Sequence, residues 1–149
     1  NKLLRMSVIP MVGHFNMRGF NQSLRKATGH VNRVSFAGSV SHGDEFSLLE
    51  QVKNRKTDCV MVIGADPFSS LPRSVAEGLK CVPMITMDPF HTATTRGSRV
   101  VIGMGVSGIE VGGTAVRMDG TEVALMPVRK SSRPSDEEVL KHLLRKVAK

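Results

Sequence analysis

Tryptophan and tyrosine are absent from the 149 residues, and six phenylalanines make up the whole aromatic complement. Little flat surface is left for stacking bases, which argues against a single-strand nucleic-acid binder. Only two cysteines occur, Cys59 and Cys81, each inside an apolar run. They form no CxxC, and their spacing from each other and from the five histidines fits no zinc pattern. Both are expected to be small buried hydrophobes. No apolar run approaches the roughly 18 residues a membrane span needs, and the opening residues lack the charged-then-apolar build of a signal peptide. A cytoplasmic protein is expected. There is no GxGxxG and no GxxxxGK[ST], so neither common phosphate-binding fingerprint is present. No repeat of solenoid length and no low-complexity tract occurs.

A chain of this length fits one domain that buries roughly two thirds of its unfolded surface without disulfide or metal staples. The first methionine is Met6, a few residues before an apparent strand, so the sequence is read as a fragment of a longer subunit. A formal charge of +8 invites a nucleic-acid reading, but the excess is concentrated around residues 25–33 and 129–149. That pattern fits a solvated basic face, or one that meets an acidic partner or an anionic cofactor, better than a stripe that tracks a phosphate backbone.

Hydrophobic periodicity alternates between the two regular structures. Residues 3–12 (LLRMSVIPMV) read as a strand interrupted by Pro10. Met17, Phe20, Leu24 and Ala27 then recur at helical spacing, with Asn16 placed to cap the start and Gly29 to end the helix. A short strand is expected over residues 31–37, and a second helix over residues 44–57, with Phe46, Leu49 and Val52 on one face. The run DCVMVIGADP has the look of a strand buried on both faces of a parallel sheet. PRSVAEGLK is a short helix with Pro72 near its first turn, VPMITMD a second buried strand and SRVVIGMGV one more apolar strand. Two alternating runs joined by Asp119-Gly120 signal a hairpin. A polar linker follows, then a helix capped by Ser135 and Glu138 with Val139, Leu140, Leu143, Leu144 and Val147 facing inward. The sum is a three-layer α/β sandwich around a mostly parallel, Rossmann-like sheet, with a late β-hairpin and a C-terminal helix. Residues 1–128 form a cofactor-binding type of domain in this reading, and residues 129–149 a linker and amphipathic helix.

Two of the strands stop abruptly at an acid and a proline, in VMVIGADPFSS and VPMITMDPFHTATT. In an open α/β sheet the carboxyl ends of the strands form the ligand crevice, so both Asp-Pro corners fall on its rim. Gly64 allows a close backbone approach and Pro67 stiffens the turn, while Ser69 and Ser70 follow where helix-start amides suit a phosphate. An ordinary strand-to-helix turn uses the same residues. Asp88 can accept two hydrogen bonds from a guanine edge or from ribose hydroxyls. Thr92, Thr94 and Thr95 can meet phosphates or cap the next turn. His14, in GHFN, sits beside the first crevice loop but has no acid or cysteine near it in sequence, and His91 is equally unpaired. Glu110 could serve as a base, although nothing in its spacing singles it out.

The succession PMVGHFNMRGFNQ, VMVIGADPFSSLP, VPMITMDPFHTATTRGSRVVI and GIEVGGTAVRMDG resembles the carboxyl-terminal part of the B-type subunit of formylmethanofuran dehydrogenase, of the molybdopterin oxidoreductase superfamily. The resemblance implies an α/β domain that helps hold a tungsto- or molybdopterin guanine dinucleotide. It also implies a multisubunit complex that reduces carbon dioxide reversibly to the formyl level. Carried over residue by residue, Gly13, Asn16 and Gly19 would lie in a loop near the pterin, with His14 the candidate catalytic residue. Gly64, Asp66 and Pro67 would form one dinucleotide-contacting strand end, and Asp88, Thr92 and Thr95 another. The family's metal-ligating cysteine or selenocysteine would lie upstream, and neither Cys59 nor Cys81 replaces it, so the segment alone is expected to be inactive. The position before GHxN, commonly Arg in the family, is Val12 here, which cannot stabilise an oxyanion. Two alternatives follow. One is a metal-free scaffold subunit of a bacterial formyltransferase/hydrolase complex, and the other a small nucleotide-binding regulatory module complete in itself.

Overall fold

The structure, a computed structural model, describes residues 13–148. The strand expected over residues 3–12, and Val12 with it, lie outside the described residues. The chain runs from helix α1 (Met17–Thr28) through a short antiparallel pair, β1 (Val34–Ser35) and β2 (Ser41–His42), to a 3-10 turn (Asp44–Phe46) and helix α2 (Leu48–Lys53). Three parallel strands follow: β3 (Val60–Ile63), β4 (Met84–Asp88) and β5 (Val100–Gly103). Helices α3 (Pro67–Ser70) and α4 (Arg73–Leu79) connect the first two strands, and α5 (Ala93–Gly97) connects the last two. An antiparallel hairpin, β6 (Gly113–Val116) with β7 (Glu122–Leu125), and helix α6 (Asp136–Val147) complete the fold.

The mixed α/β class, the parallel sheet, the late hairpin and the C-terminal helix match the sequence reading. Sheet order is β3-β4-β5, with Val60 opposite Met84 and Asp88 opposite Gly103. Val60, Val62 and Met84 pack with Val52 of α2 and Leu79 of α4 into the main core. These side chains share a sheet face because alternate strand residues point the same way.

The opposite face of β3 corrects one expectation. Met61 and Ile63 are 44% and 41% exposed, so the strand is buried on one face only. Helices α2 and α4 supply Val52 and Leu79 to the Val60 side, and nothing among the described residues covers Met61 and Ile63.

Other differences have local causes. The helix expected over residues 44–57 is divided at Ser47, whose backbone is extended and whose hydroxyl accepts the Glu50 N–H at 3.3 Å, starting α2 afresh. The strand expected over residues 31–37 is reduced to Val34–Ser35. Cys59 and Cys81 are exposed, not buried, because each lies in the turn leading into a parallel strand, where the chain meets solvent at the amino-terminal edge. Helix α6 has the expected Ser135–Glu138 capping box, yet none of its residues is buried, and Leu144 is 64% exposed. Of its apolar stripe, Val139 and Leu143 are half-buried, while Leu140, Leu144 and Val147 are exposed. Helix α1 ends as expected at Gly29, whose left-handed backbone (φ 83°) donates its N–H to Arg25 O at 2.8 Å.

Candidate functional site

Parallel pairing brings the carboxyl ends of β3 and β4 to one edge. Gly64 leaves β3 with φ 58° and donates its N–H to Met87 O at 2.9 Å. A side chain there would meet nothing within 4 Å, so the glycine is required by its backbone conformation and leaves open space beside the turn. Asp66 follows and is heavily used within the chain. Its Oδ1 accepts the Thr94 N–H at 3.0 Å and the Thr94 hydroxyl at 2.5 Å, and its Oδ2 accepts the Ser69 hydroxyl at 2.7 Å. The Phe68 N–H, just past the buried Pro67, donates to the Thr94 hydroxyl at 3.1 Å. Partial desolvation pushes the Asp66 carboxyl up, but the hydrogen bonds from Thr94, Ser69 and the Ala93 backbone outweigh it and hold the group below the ordinary aspartate value. The Ser70 hydroxyl donates to Asp66 O at 2.8 Å. Both serines expected to suit a phosphate thus have internal partners.

Asp88 ends β4 almost completely buried, at 6% exposure. Its Oδ1 accepts the Phe90 N–H at 2.8 Å, while its Oδ2 makes no hydrogen bond among the described residues. Thr92 and Thr95 form a capping box on α5: the Thr92 hydroxyl accepts the Thr95 N–H at 3.1 Å, and the Thr95 hydroxyl accepts the Thr92 N–H at 2.8 Å. The capping role of these threonines is the one the geometry displays. Arg133 reaches the same edge from the segment before α6, donating to Pro89 O at 3.0 Å and lying over Gly103. Sequence reasoning missed it, since nothing in RKSSRPS points to a contact 44 residues away.

The turn carrying His14 packs elsewhere, on the hairpin. Asn16 sits at the start of α1 but does not cap it. It has a left-handed backbone (φ 54°), its Nδ2 donates to Thr114 O at 3.2 Å, and its Oδ1 accepts the Val116 N–H at 2.8 Å. Its amide therefore acts as one more rung on the free side of β6, anchoring α1. Gly19 lies directly above, where any Cβ would overlap Asn16 Oδ1. Gly13 and His14 are exposed at the rim of a pocket of about 440 Å³ between this turn and residues 115–119. Arg18 and Arg117, which sequence reasoning did not single out, line it too.

A larger hollow of about 820 Å³ lies between α2 and α4, lined by Lys53, Arg55, Thr57 and Cys81 among others. Thr57 and Cys81 precede β3 and β4, so this hollow is at the sheet edge away from the Asp-Pro corners. Glu110 accepts the Val106 N–H at 3.1 Å and faces Arg129, a structural use. His91 is exposed, and the rings of His30 and His42 stack with centroids 4.2 Å apart. Among the described residues no group of three or more His, Cys, Asp or Glu side chains could hold a metal ion, and no helix is long and apolar enough to cross a membrane.

No family model matches the chain. Against curated proteins, 99% of it aligns with the B-type subunit of the tungsten-containing formylmethanofuran dehydrogenase 2 of Methanocaldococcus jannaschii, with 32% identity over 154 residues. The protein of the same name from Methanococcus maripaludis is 30% identical over 151 residues, again across 99% of this chain. The chain is a homologue of the formylmethanofuran dehydrogenase B-type subunit. It spans about a third of the length of these relatives, 35% in each case. Among solved structures, the formyltransferase/hydrolase complex (FhcABCD) of Methylorubrum extorquens, in complex with methylofuran, matches 93% of this chain and 40% of its own with a TM-score of 0.71. At 22% identity that likeness concerns the fold. In this homologue of the B-type subunit the fold gathers Gly64, Asp66, Pro67, Asp88, Thr92 and Thr95 at one sheet edge, and sets Gly13, His14, Asn16 and Gly19 against the hairpin.

Proposed function

We propose that this chain is the cofactor-holding part of a B-type subunit of the formylmethanofuran dehydrogenase kind, with the carboxyl edge of β3 and β4 receiving the guanine dinucleotide of a tungsto- or molybdopterin. Asp88 carries the reading. A nearly buried carboxylate with one oxygen fixed by the Phe90 N–H and the other without a partner among the described residues suits a ligand that offers N–H or O–H donors. A guanine edge or a ribose offers such donors. Gly64, with open space beside its left-handed backbone, leaves room for the same ligand. Asp66 acts one step back, tying the two corners together through Thr94, while Thr92 and Thr95 cap the start of α5.

The described side chains provide no metal-ligand set, so the metal end of the cofactor belongs to a different part of the subunit in this reading. When bound, the metal pterin would supply the two-electron chemistry that interconverts carbon dioxide and a formyl group. This chain's contribution is to grip and orient the nucleotide end, in the cytoplasm, within a complex of companion subunits. Residues 1–128 form the cofactor domain, and the basic segment over residues 129–149 reaches its edge through Arg133.

A second reading is favoured by the self-sufficiency of the threonine and serine hydroxyls at this edge. In a metal-free scaffold subunit of a formyltransferase/hydrolase complex, the same hydrogen bonds would serve the fold alone. Cofactor content of the unaltered full-length subunit separates the two, and Asp88→Ala tests the residue. The full-length subunit should lose guanine dinucleotide affinity by roughly 1–3 kcal/mol, the range for a hydrogen bond to a charged group. Unchanged nucleotide content in that variant would remove Asp88 from the assignment.

A further inference from the structure

The polar linker before α6 is tied down across the carboxyl ends of β4 and β5. The Gly105 N–H donates to Pro134 O at 3.0 Å, and the Ser131 hydroxyl accepts the Arg133 N–H at 3.0 Å. A Cβ on Gly105 would lie 3.2 Å from Ser131 Oγ, so the linker passes close to the chain that leaves β5. Between these points the Arg133 side chain reaches the sheet edge, where its Nη1 donates to Pro89 O at 3.0 Å.

The strand register sets Arg133 beside Asp88. Asp88 of β4 is the partner of Gly103 of β5, and partners in a parallel ladder project to the same face of the sheet. Gly103 has no side chain, and the place one would take adjoins Arg133: a Cβ there would lie 3.6 Å from Nε and 3.7 Å from Cζ. The guanidinium therefore stands in the cross-strand position next to the Asp88 carboxylate. The two do not pair. Among the described residues Arg133 makes no ion pair with Asp88 or with any other acid, and its one side-chain hydrogen bond goes to Pro89 O. The residue is exposed, so its charge stays open to an incoming anion.

This edge thus has two unmet needs of opposite kind: Asp88 Oδ2 takes a donor, and Arg133 takes an anion. Inorganic phosphate would meet a like charge at Asp88, and a neutral nucleoside would leave Arg133 unused. A nucleotide answers both. We infer that Arg133 is the phosphate anchor of this edge, its guanidinium taking oxygens of the diphosphate while Asp88 takes donors from the base or the ribose. The inference rests on the dinucleotide reading and adds to its site a residue of the linker, so the boundary at residue 128 divides the chain but not the site.

The test is isothermal titration calorimetry of the full-length subunit, made in cells that supply no pterin so that no cofactor competes, with guanosine and separately with guanosine 5′-diphosphate. Guanosine carries the donors that Asp88 takes and has no phosphate. Wild type should bind the diphosphate about tenfold more tightly at low ionic strength, and that advantage should shrink as salt is raised. Arg133→Gln should leave guanosine affinity unchanged and abolish the advantage. Arg145→Gln, which removes one charge from exposed α6, should alter neither affinity. Equal affinity of wild type for the two ligands, or an advantage that survives in Arg133→Gln, would overturn the anchor and leave the dinucleotide reading standing. A loss of guanosine affinity in Arg133→Gln as large as the loss of diphosphate affinity would make the arginine a brace for the edge, and would overturn the anchor as well. A wild type that binds neither ligand would overturn the reading and the inference together.

Discussion

Asp66 Oδ1 accepts both the backbone N–H and the hydroxyl of Thr94, 28 residues further along the chain. Thr94 is wholly buried, and its hydroxyl also accepts the Phe68 N–H, so the corner after β3 and the start of α5 are locked together through one carboxylate. The Asp-Pro corner therefore has a reason to exist before any ligand is considered.

Replacing that carboxylate leaves buried donors unpaired. Asp66→Ala should lower unfolding free energy by about 1–3 kcal/mol, read from a urea midpoint at neutral pH. The sign of the pH dependence follows from the lowered carboxyl. A group held below its unfolded value of 3.8 contributes stability that is complete above that value and is lost as pH falls through the lower, folded one. The gap in Tm between wild type and Asp66→Ala should stay constant from neutral pH to about 5 and close below about 4. A gap that widens on acidification would contradict this.

Gly19→Ala tests the anchor of α1. Alanine is ordinarily the better helix residue, which on propensity alone would stabilise by up to about 1 kcal/mol. Here its Cβ would collide with Asn16 Oδ1, so a loss of about 1–3 kcal/mol is expected, as for overpacking. The Val116 amide, which donates to Asn16, should exchange with deuterium faster in the variant. A more stable Gly19→Ala with unchanged Val116 protection would refute the contact.

Leu79 and Leu144 make a matched pair. Leu79 is fully buried in the main core, so Leu79→Ala should cost about 2–5 kcal/mol. Leu144, on the exposed face of α6, should respond to the same change by no more than about 0.5 kcal/mol. Denaturant unfolding of both variants in the full-length protein checks this, and a large loss for Leu144→Ala would mean that its stripe is covered.

What the sequence disclosed was what local pattern determines. The strands that run into the Asp66 and Asp88 corners, the Asp119-Gly120 hairpin and the Ser135 cap all carry their signal within a few residues. The division at Ser47 was also open to reading, because Ser47 with Glu50 has capping-box spacing just before an apolar run. Asn16 was different: its partners, Thr114 and Val116, lie 98 and 100 residues away, and a side chain that pairs with a strand looks the same in sequence as one that caps a helix. The exposure of Cys59 and Cys81 depended on which sheet edge they reach, and periodicity does not report edges. Of the candidate site, the Asp-Pro corners were legible as rim positions. The occupation of Asp66 by Thr94 was not, since it follows from which loops the sheet brings together.

The most direct measurement is plasma mass spectrometry for tungsten and molybdenum, with quantification of acid-released guanine nucleotide, on the full-length native protein purified with its companion subunits. The proposed role predicts about one metal per copy of this subunit, as a single catalytic centre requires, together with releasable guanine nucleotide. An intact, active complex with neither metal nor guanine nucleotide would contradict it, and would leave the Asp88 edge as part of a scaffold.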